Sequence, residues 1–455
     1  MMLQNQITFL IPSLICLDTA LPYITELQRR KVGIHFVVDH QVRMLCKEEL
    51  QGALSIIEMD KLDSRYVLEK LLHSFLRLAF TTKDFSPIYQ RWLQQRLVGK
   101  SKISRVLAQL AILCGHKCAL DRVNSRLNFW LGCITRNPFI TKKLIYITTT
   151  NKPHLLCGRG LEVYTIMESW DHPGKAPIGH TSSKVFVWNA ALQQDWTDFQ
   201  GDTNLARAYP IKIAYAIGAN NLRKGELLKP QNNRIMYPLT FGSSSDKQMF
   251  IEELRFIKEL CVATEKTGMK LLIKPKPNSI DSGELNEFLE FTHVEVGRYQ
   301  VNQGGGNYRL SGHYNEQRLD DLKKCDVVIN LATTFALDAA AFGLPVIQLK
   351  IECPVQYPLL SSIKDFPHLQ RHVYCYQSSL FKLNDCALIS QQLNFLSDSE
   401  CYLPSARDFS MRLREWLIPD WSLEEAVRQV IDSCLQSEDF GDTTLAASPV
   451  TTGLI

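Results

Sequence analysis

The chain has 455 residues, of which 45% are hydrophobic and 22% are charged. This length exceeds the size at which one hydrophobic core keeps growing, and the composition is that of a soluble globular protein, so two domains are expected. A disordered chain, a collagen-like repeat and a small disulfide scaffold are excluded, and a net charge of +4 is too small for a bulk nucleic-acid binder.

The first part of the chain predicts strands that alternate with helices. Apolar runs predict strands at 7–11, 32–38, 54–57 and 143–148. A helical stretch over 21–30 separates the first two strands, and residues 65–142 predict a basic helical insertion. This alternation is typical of βαβ units and of a parallel sheet, so we expect a Rossmann-like N-terminal domain over 1–217.

One strongly basic stretch is concealed by the balanced total charge. Residues 90–143 contain eleven basic residues and one acidic residue, so this stretch carries +10 and the rest of the chain sums to −6. Its basic residues alternate with large apolar ones, which is typical of helices lying on an anionic membrane surface. Amphipathic helices with solvated faces that cover the first sheet give the same pattern. No nucleic-acid recognition motif accompanies the charge, so no nucleic-acid partner is expected.

A second alternating series follows a polar segment with two glycines and a proline, 218–233, which predicts a linker. Apolar runs predict strands at 234–239, 270–273, 294–297, 326–330 and 345–349. Helices are predicted between them at 250–261, 285–291, 318–324 and 334–342. The sequence thus predicts a second Rossmann-like domain over 234–404, C-terminal helices over 405–436 that can cross back to the first domain, and a disordered tail over 437–455. The predicted fold class is α/β, with two domains facing each other across a cleft.

Ligands of open α/β sheets bind outside the carboxyl ends of the strands, so the residues that follow each apolar run are the candidates for a site. After the run at 326–330, Thr333 and Thr334 can cap a helix whose free N–H groups and positive dipole end suit a nucleotide phosphate. Asp338 lies one turn further on, where its carboxylate could accept hydrogen bonds from ribose hydroxyls. A plain βαβ unit with a threonine cap and a first-turn acid is the structural alternative.

This stretch resembles the nucleotide-sugar segment of glycosyltransferases with the two-domain GT-B fold, and of the related UDP-N-acetylglucosamine 2-epimerases. In those families a hydroxyl residue opens the helix, and an acid, usually Glu, precedes Ala and Gly-x-Pro. Thr333, Thr334 and Gly343-Leu344-Pro345 match this pattern, while Asp338 is one methylene shorter than the usual Glu.

A second stretch, Ser169-Trp170-Asp171-His172 with Gly174-Lys175, is followed by Val187-Trp188-Asn189. It resembles the Ser-Trp-Asp-Asn, Lys-Gly and Val-Trp-Asn pattern of bacterial surface-polysaccharide glycosyltransferases, with His172 replacing Asn and the Lys-Gly order reversed. Such a turn offers a carboxylate, an imidazole and an aromatic plane to the cleft, and Asp171 or His172 could deprotonate an acceptor hydroxyl. In the alternative interpretation these two residues only form a turn and Trp170 belongs to the core.

Two further motifs predict phosphate contacts. Lys274-Pro275-Lys276-Pro277 resembles the Lys-Pro-His-Pro of capsule-type sugar transferases, with Lys276 in place of His. Its lysines would supply point charges for donor phosphate. Ser243, Ser244 and Ser245 follow Gly242 after a strand and could hold a phosphate through backbone N–H groups. A solvated strand end and an ordinary Gly-Ser turn are the alternatives.

Metal binding is not expected. Cys114 and Cys118 lack a second Cys/His pair at useful spacing, and His368 and His372 are expected on an ordinary surface helix. The thirteen cysteines are scattered without regular spacing, which favours reduced, buried thiols of a cytoplasmic protein. No window is long and apolar enough to cross a bilayer, and the first residues lack the features of a signal peptide. We expect a cytoplasmic protein that at most docks on the inner face of the cell membrane.

Together these resemblances imply a glycosyltransferase that transfers a sugar from a nucleotide-activated donor to a growing surface glycan, such as capsule or O-antigen. The first domain would bind a glycan or lipid-linked acceptor and the second the donor. The Lys-Pro-x-Pro resemblance implies a CMP-activated acidic sugar (Kdo or sialic acid), with a UDP-sugar as the competing donor. The implied site consists of Asp171 and His172 as catalytic residues and of donor-binding Ser243, Ser244, Ser245, Lys274, Lys276, Thr333, Thr334 and Asp338.

The donor is a substrate, and no cofactor is expected beside it. Two alternatives stay open. A nucleotide-sugar 2-epimerase would need the same donor site without an acceptor surface. A non-catalytic GT-B-like scaffold in polysaccharide assembly would explain why His172, Lys276 and Asp338 depart from the patterns.

Overall fold

The computed structural model of the chain describes residues 6–59, 139–148, 161–175, 182–200, 203–242, 247–276, 283–297, 313–384 and 389–436. The predicted insertion up to residue 138, most of the basic stretch, the Ser243–Ser245 turn and the predicted tail lie outside these residues. In the described part, two separate parallel sheets are present, so the predicted α/β class with two Rossmann-like domains is confirmed.

The first sheet has seven parallel strands in the order β3-β2-β1-β4-β5-β6-β7. Its strands are β1 (Gln6–Ile11), β2 (Gly33–Val38), β3 (Ser55–Glu58), β4 (Lys143–Ile147), β5 (Glu162–Ile166), β6 (Lys184–Val187) and β7 (Leu205–Arg207). Its helices are α1 (Leu14–Arg29), α2 (His40–Leu45), α3 (His172–Lys175), α4 (Ala190–Gln200) and α5 (Ala214–Ile217). Continuous apolar runs such as β2, buried along its whole length, form strands that are covered on both faces.

Helix α1 begins seven residues before the predicted start. Ser13 caps it, since its side chain accepts a hydrogen bond from the backbone N–H of Cys16. The sequence obscures this start because Pro22 lies inside the helix, where proline removes a backbone donor and normally marks a boundary.

The second sheet has six parallel strands in the order β10-β9-β8-β11-β12-β13. These are β8 (Arg234–Pro238), β9 (Lys270–Lys274), β10 (Val294–Val296), β11 (Val327–Asn330), β12 (Val346–Ile351) and β13 (Leu380–Leu383). The helices are α6 (Lys247–Lys266), α7 (His313–Lys323), α8 (Phe335–Phe342), α9 (Pro358–Ser361), α10 (Pro367–His372), α11 (Ile389–Gln392), α12 (Ser399–Leu417) and α13 (Leu423–Leu435). The helix predicted at 285–291 is a 3₁₀ helix, Gly283–Glu290.

The segment 218–233 packs onto the second domain along part of its length. Leu228 donates its backbone N–H to the carbonyl of Gly343, and the Asn220 amide donates to the carbonyl of Phe342. Gly343 ends α8 in the left-handed conformation, with φ +100, and a Cβ there would lie 2.4 Å from Leu222 Cδ1. Glycine is therefore favoured at this position by its backbone conformation, and a side chain there would also displace Leu222. The buried guanidinium of Arg414 adds four more hydrogen bonds between this segment and the end of α8.

The last helix, α13, crosses back to the first domain, as the sequence predicts. Its residues Val430, Ile431 and Cys434 belong to the same buried cluster as α1 and β1. Arg30 on α1 forms an ion pair with Asp432, and the ammonium of Lys143 donates to three carbonyls at the end of α13. A cation at the carboxyl end of a helix satisfies its free carbonyls and opposes its dipole.

The larger of two hydrophobic clusters continues from the first domain into the second. Eight cysteines in the described part of the chain are free thiols, and six of them are buried, in agreement with the predicted reduced core. Among the described residues, no helix is long and apolar enough to cross a membrane.

Candidate active site between the two domains

The start of helix α8 lies at the carboxyl end of β11, beside the point where the strand order of the second sheet reverses. Asn330 Oδ1 accepts from the backbone N–H of Thr333 at 3.1 Å, and Thr333 Oγ1 accepts from the N–H of Phe335 at 3.2 Å. Thr334 makes no side-chain capping hydrogen bond. The predicted hydroxyl cap is thus confirmed for Thr333 only, and the hydroxyl of Thr334 takes no part in capping.

The loop after β8 is anchored by an acid that sequence reasoning did not single out. Glu253 on α6 is fully buried, and its carboxylate accepts from the backbone N–H groups of Thr240 at 2.7 Å and Phe241 at 2.8 Å. Burial raises the pKa of Glu253 to about 6, against these hydrogen bonds. The sequence feature that could have identified Glu253 is its position as an acid on the apolar face of the predicted helix 250–261. The anchored loop leads directly into Ser243–Ser245.

Lys274, at the end of β9, is buried rather than open to a phosphate. Its ammonium lies 3.3 Å from Asp321 Oδ2 on α7, and 5.0 Å and 5.8 Å from the ring centroids of Phe335 and Tyr314. Burial lowers the pKa of Lys274 to about 7, while Asp321 acts in the opposite direction. The ammonium of Lys274, which the sequence predicts as a phosphate contact, therefore lies buried against Phe335 in the first turn of α8.

Asp338 is also buried, at 1% exposure, and forms an ion pair with Arg318 on α7. Burial raises the pKa of Asp338, and Arg318 opposes that shift. The guanidinium of Arg318 in turn lies 4.3 Å from the ring centroid of Tyr215 on α5. The sequence did not single out Arg318 or Tyr215. We call Lys274, Arg318, Asp321 and Asp338 the ion cluster; the ribose contact of Asp338 stays a prediction.

In the first domain, His172 is held on both sides. Its Nδ1 lies 2.7 Å from Thr148 Oγ1, and its Nε2 lies 3.4 Å from Glu168 Oε2. Glu168 also pairs with Lys212 at 2.8 Å. Burial lowers the pKa of His172 to about 4, against the raising effect of Glu168, so the ring is neutral at pH 7. The strand order of the first sheet reverses between β1 and β4, and Thr148 lies just beyond β4.

Asp171 is nine-tenths buried at the start of α3. Its Oδ2 accepts from the ammonium of Lys175 at 3.1 Å, and its Oδ1 has no hydrogen-bond partner among the described residues. Burial acts to raise its pKa, but Lys175 and the other cationic groups more than offset this and hold the pKa well below the usual range. Asp171 is therefore an ionised carboxylate with one unused oxygen.

Lys276, in the Lys-Pro-Lys-Pro motif of the second domain, interacts electrostatically with the Asp171 motif of the first. Burial lowers the pKa of its ammonium to about 8; Lys175 and Lys212 of the first domain lower it further, while Glu253 and Asp171 raise it. These effects place Lys276 within electrostatic reach of the Asp171 segment. In the described part of the chain, the half-buried ammonium has neither an ion pair nor a hydrogen bond.

Trp170 does not present an aromatic plane to the cleft. It is 2% exposed, and its ring packs edge-on against His368 at 4.8 Å and Trp416 at 5.8 Å between ring centroids. The expectation of a cleft-facing ring is wrong, and the core interpretation is confirmed for Trp170, because the second domain and α12 cover the ring. The first domain thus reaches the second through an aromatic contact.

Helix α10 is not the surface helix that the sequence predicts. His372 Nε2 lies 2.6 Å from Asp195 on α4, and Arg371 pairs with the same carboxylate at 2.8 Å. Gly174 permits the close approach of α10, since a Cβ there would lie 3.2 Å from Pro367. The helix therefore has a buried side, which includes His368 and Leu369, while Gln370 and Arg371 remain exposed. No group of three or more potential ligands that could hold a metal ion is found among the described residues.

Comparison with family models and with curated proteins finds no match. Among solved structures, the chain is similar to the calicheamicin glycosyltransferase CalG4, with 12% identity, a TM-score of 0.51, and coverage of 95% of this chain and 99% of that one. It also matches the Methanocaldococcus jannaschii UDP-GlcNAc 2-epimerase in complex with UDP-GlcNAc and UDP, at 11% identity and a TM-score of 0.46, covering 94% and 99% of the two chains. The likeness to CalG4 extends over nearly the whole of both chains and confirms the GT-B-like fold.

Proposed function

We propose that the protein is a glycosyltransferase that transfers a sugar from a nucleotide-activated donor to a glycan. The observation that carries this proposal is that Lys276, from the second domain, lies within electrostatic reach of Asp171 and Lys175 of the first. A cation without an ion pair among the described residues, within reach of an ionised carboxylate, suits a reaction in which a phosphate leaves and a hydroxyl loses a proton. The fold shared with CalG4 is consistent with this chemistry, but fold alone does not establish it.

In the proposed reaction, the donor phosphates lie at the start of α8, close to the hydroxyl of Thr334 and the ammonium of Lys276. The backbone of Ser243–Ser245 adds further donors. The N–H groups and dipole of α8, together with Lys276, stabilise the negative charge that develops on the leaving phosphate. Lys274 and Asp338 contribute from below by fixing the first turn of α8. Asp171 assists the loss of the acceptor proton.

His172 supports this site rather than reacting in it. Thr148 Oγ1 accepts the backbone N–H of Glu168, so its hydroxyl proton is available to His172 Nδ1. The neutral ring then carries its own proton on Nε2, facing the Glu168 carboxylate. Both ring nitrogens are thereby occupied, and we assign His172 to positioning the Asp171 segment.

Two parts of the proposal come from sequence resemblance. The donor is a CMP-activated acidic sugar or a UDP-sugar, and the acceptor is a surface glycan or a lipid-linked glycan met at the membrane through the basic stretch 90–143. Co-sedimentation with phosphatidylglycerol-containing and with purely phosphatidylcholine vesicles tests the membrane contact. Equal binding to both would contradict it.

Thermal unfolding in the presence of CMP, CDP, UDP, GDP and dTDP tests the donor site. We expect one nucleotide to raise the unfolding temperature, since a ligand that binds only the folded state stabilises it. Lys276→Ala should lose this effect. Lys270→Ala is the matched control, because Lys270 is exposed at the opposite end of the same strand.

Three outcomes separate the candidate functions. Transfer to an added glycan supports the glycosyltransferase, and release of an epimerised sugar without an acceptor supports the 2-epimerase. If no nucleotide changes the unfolding temperature, the donor site is wrong and the non-catalytic scaffold is favoured.

A further inference from the structure

His368 lies on the second domain but faces the catalytic segment of the first. It is 6% exposed, and its ring packs edge-on against Trp170, the residue directly before Asp171. His368 and Asp171 also lie within electrostatic reach of each other, because each shifts the pKa of the other. The domain contact therefore brings an imidazole and a carboxylate together that are almost two hundred residues apart in the sequence.

Three buried polar atoms in this small region lack a hydrogen-bond partner among the described residues. They are Nδ1 of His368, Oδ1 of Asp171 and Nε1 of Trp170. Buried polar side-chain atoms are hydrogen-bonded in the large majority of cases, so a cluster of exceptions calls for an explanation. A hydroxyl-bearing ligand can both donate and accept hydrogen bonds, and it would satisfy such a group.

The two histidines near Asp171 differ in what their ring nitrogens already do. His172 is engaged by Thr148 and Glu168 on its two sides. For His368, no hydrogen bond is found in the described part of the chain. A general base needs a nitrogen that is free to receive a proton, so His368 qualifies on this count and His172 does not.

The surroundings of His368 suit a base that is neutral at rest. The charged and titratable groups around it are Asp171 and Lys175 of α3, Asp195 of α4 and His372 of its own helix. Burial lowers the pKa of His368 to about 4, and Asp171 acts to raise it. Asp171 itself, with its pKa held well below the usual range, is a weak proton acceptor but an effective partner for a cation.

We propose that His368 is the base that accepts the acceptor proton, and that Asp171 stabilises the imidazolium so formed; this rests on the proposed function. The acceptor O–H proton moves to the imidazole as the oxygen bonds to the anomeric carbon. The bond from that carbon to the donor phosphate breaks, and its electron pair leaves with the nucleotide. Asp171 remains ionised throughout, as the orienting carboxylate of a histidine base does elsewhere.

Hydrolysis of a sugar nucleotide, with water as the acceptor, tests His368 without knowledge of the natural glycan. The probes are UDP-glucose and CMP-N-acetylneuraminate, chosen by which nucleotide stabilises the protein. His368→Gln should lower turnover about 100-fold or more while nucleotide binding is unchanged. Added imidazole should restore part of the turnover of His368→Ala, because a small base can enter the space left by the ring. His40→Gln is the control, since His40 is largely exposed and pairs with Glu58 rather than with the residues around Asp171.

Several outcomes would contradict the proposed role of His368. Turnover of His368→Gln within threefold of wild type overturns the proposal while the proposed function stands. Failure of His368→Gln and His368→Asn to fold, or absence of imidazole rescue, assigns His368 a structural role and also overturns it. A wild-type protein that binds none of the nucleotides contradicts the proposed function, and the role of His368 with it.

Discussion

Lys274 and Lys276 stand two residues apart in one motif, yet the fold gives them opposite surroundings. Lys274 is buried in the ion cluster, paired with Asp321 and covered by the ring of Phe335. Lys276 is half-buried and, within the described part of the chain, has no ion pair. Side chains two residues apart on a strand point to the same face of the sheet. The alternation of side chains along the strand therefore does not explain why the two lysines differ. What separates them is the end of β9 at Lys274 and the proline that lies between them, Pro275.

The comparison distinguishes two kinds of charge at the domain junction. In the ion cluster, Lys274 and Arg318 each have a carboxylate, so the cluster holds helices α7 and α8 against β9. Asp338 Oδ1 in this cluster has no hydrogen-bond partner among the described residues, but its carboxylate is ion-paired with Arg318. His368, beside Asp171, has neither a hydrogen bond nor an ion pair in the described part of the chain. Carboxylates and cations that pair with one another support the structure, whereas a buried group without such a pairing is a candidate for contact with substrate.

The largest expected effect comes from breaking the ion cluster. Asp338→Ala leaves Arg318 buried without its carboxylate, and such a loss costs about 3–5 kcal/mol in free energy of unfolding. Urea unfolding followed by circular dichroism measures it. Asp320→Ala is the control, because Asp320 pairs with Lys323 on the exposed face of the same helix α7, where pairs are worth about 0–1 kcal/mol. Equal effects of the two variants would show that the buried pair does not support the fold.

The next largest expected effect is a pH dependence of the free energy of unfolding, caused by the titration of Lys274. Its folded pKa of about 7 lies below the value of about 10.4 in an unfolded chain. Between these values the unfolded chain binds more protons, so this residue's contribution to the free energy of unfolding rises with pH, by at most about 1.4 kcal/mol per unit. Below pH 7 the residue is protonated in both states and its contribution is constant.

We therefore expect wild type to gain about 1–2 kcal/mol relative to Lys274→Met between pH 7 and 8.5. Paired urea titrations at the two pH values measure the difference and remove contributions common to both proteins. A difference between wild type and variant that does not change with pH would place Lys274 outside the ion cluster.

Lys276→Met should weaken ligand binding without weakening the fold. Loss of one charge-assisted contact lowers nucleotide affinity about tenfold, and the free energy of unfolding does not fall, because burial already disfavours the charged form of Lys276. Isothermal titration with the nucleotide that stabilises the protein gives the affinity. A large loss of stability with normal affinity would reverse the roles of Lys274 and Lys276.

The smallest effect separates two adjacent threonines. Thr333→Ala removes the hydroxyl that caps α8 and should cost about 1 kcal/mol in free energy of unfolding. Thr334→Ala removes no capping hydrogen bond, so we expect stability to stay near wild type while nucleotide affinity falls. If both substitutions change stability alone, neither hydroxyl contacts the donor.

Most elements of the fold could be predicted because their apolar periodicity is local. Helix α13, Leu423–Leu435, lies within the predicted C-terminal helices 405–436, and nearly all the strands of the second sheet fall within a few residues of their apolar runs. The start of α1 was missed for the local reason of Pro22, whereas other failures concern long-range contacts. The burial of Trp170 and of His368 on α10 depends on contact between the two domains, which no local pattern encodes.

By itself, the sequence determined the two parallel sheets and the strand ends at which chemistry is placed, since strand and helix patterns follow from burial on one or two faces. Only the tertiary structure decided which of those polar residues form ion pairs or hydrogen bonds with one another. His172 and Asp338 are engaged by Glu168 and Arg318, while His368 packs against Trp170, the residue before Asp171. The physical reason is that a side chain's charge state and free hydrogen-bonding atoms depend on what packs against it, and in this protein those partners come from distant segments.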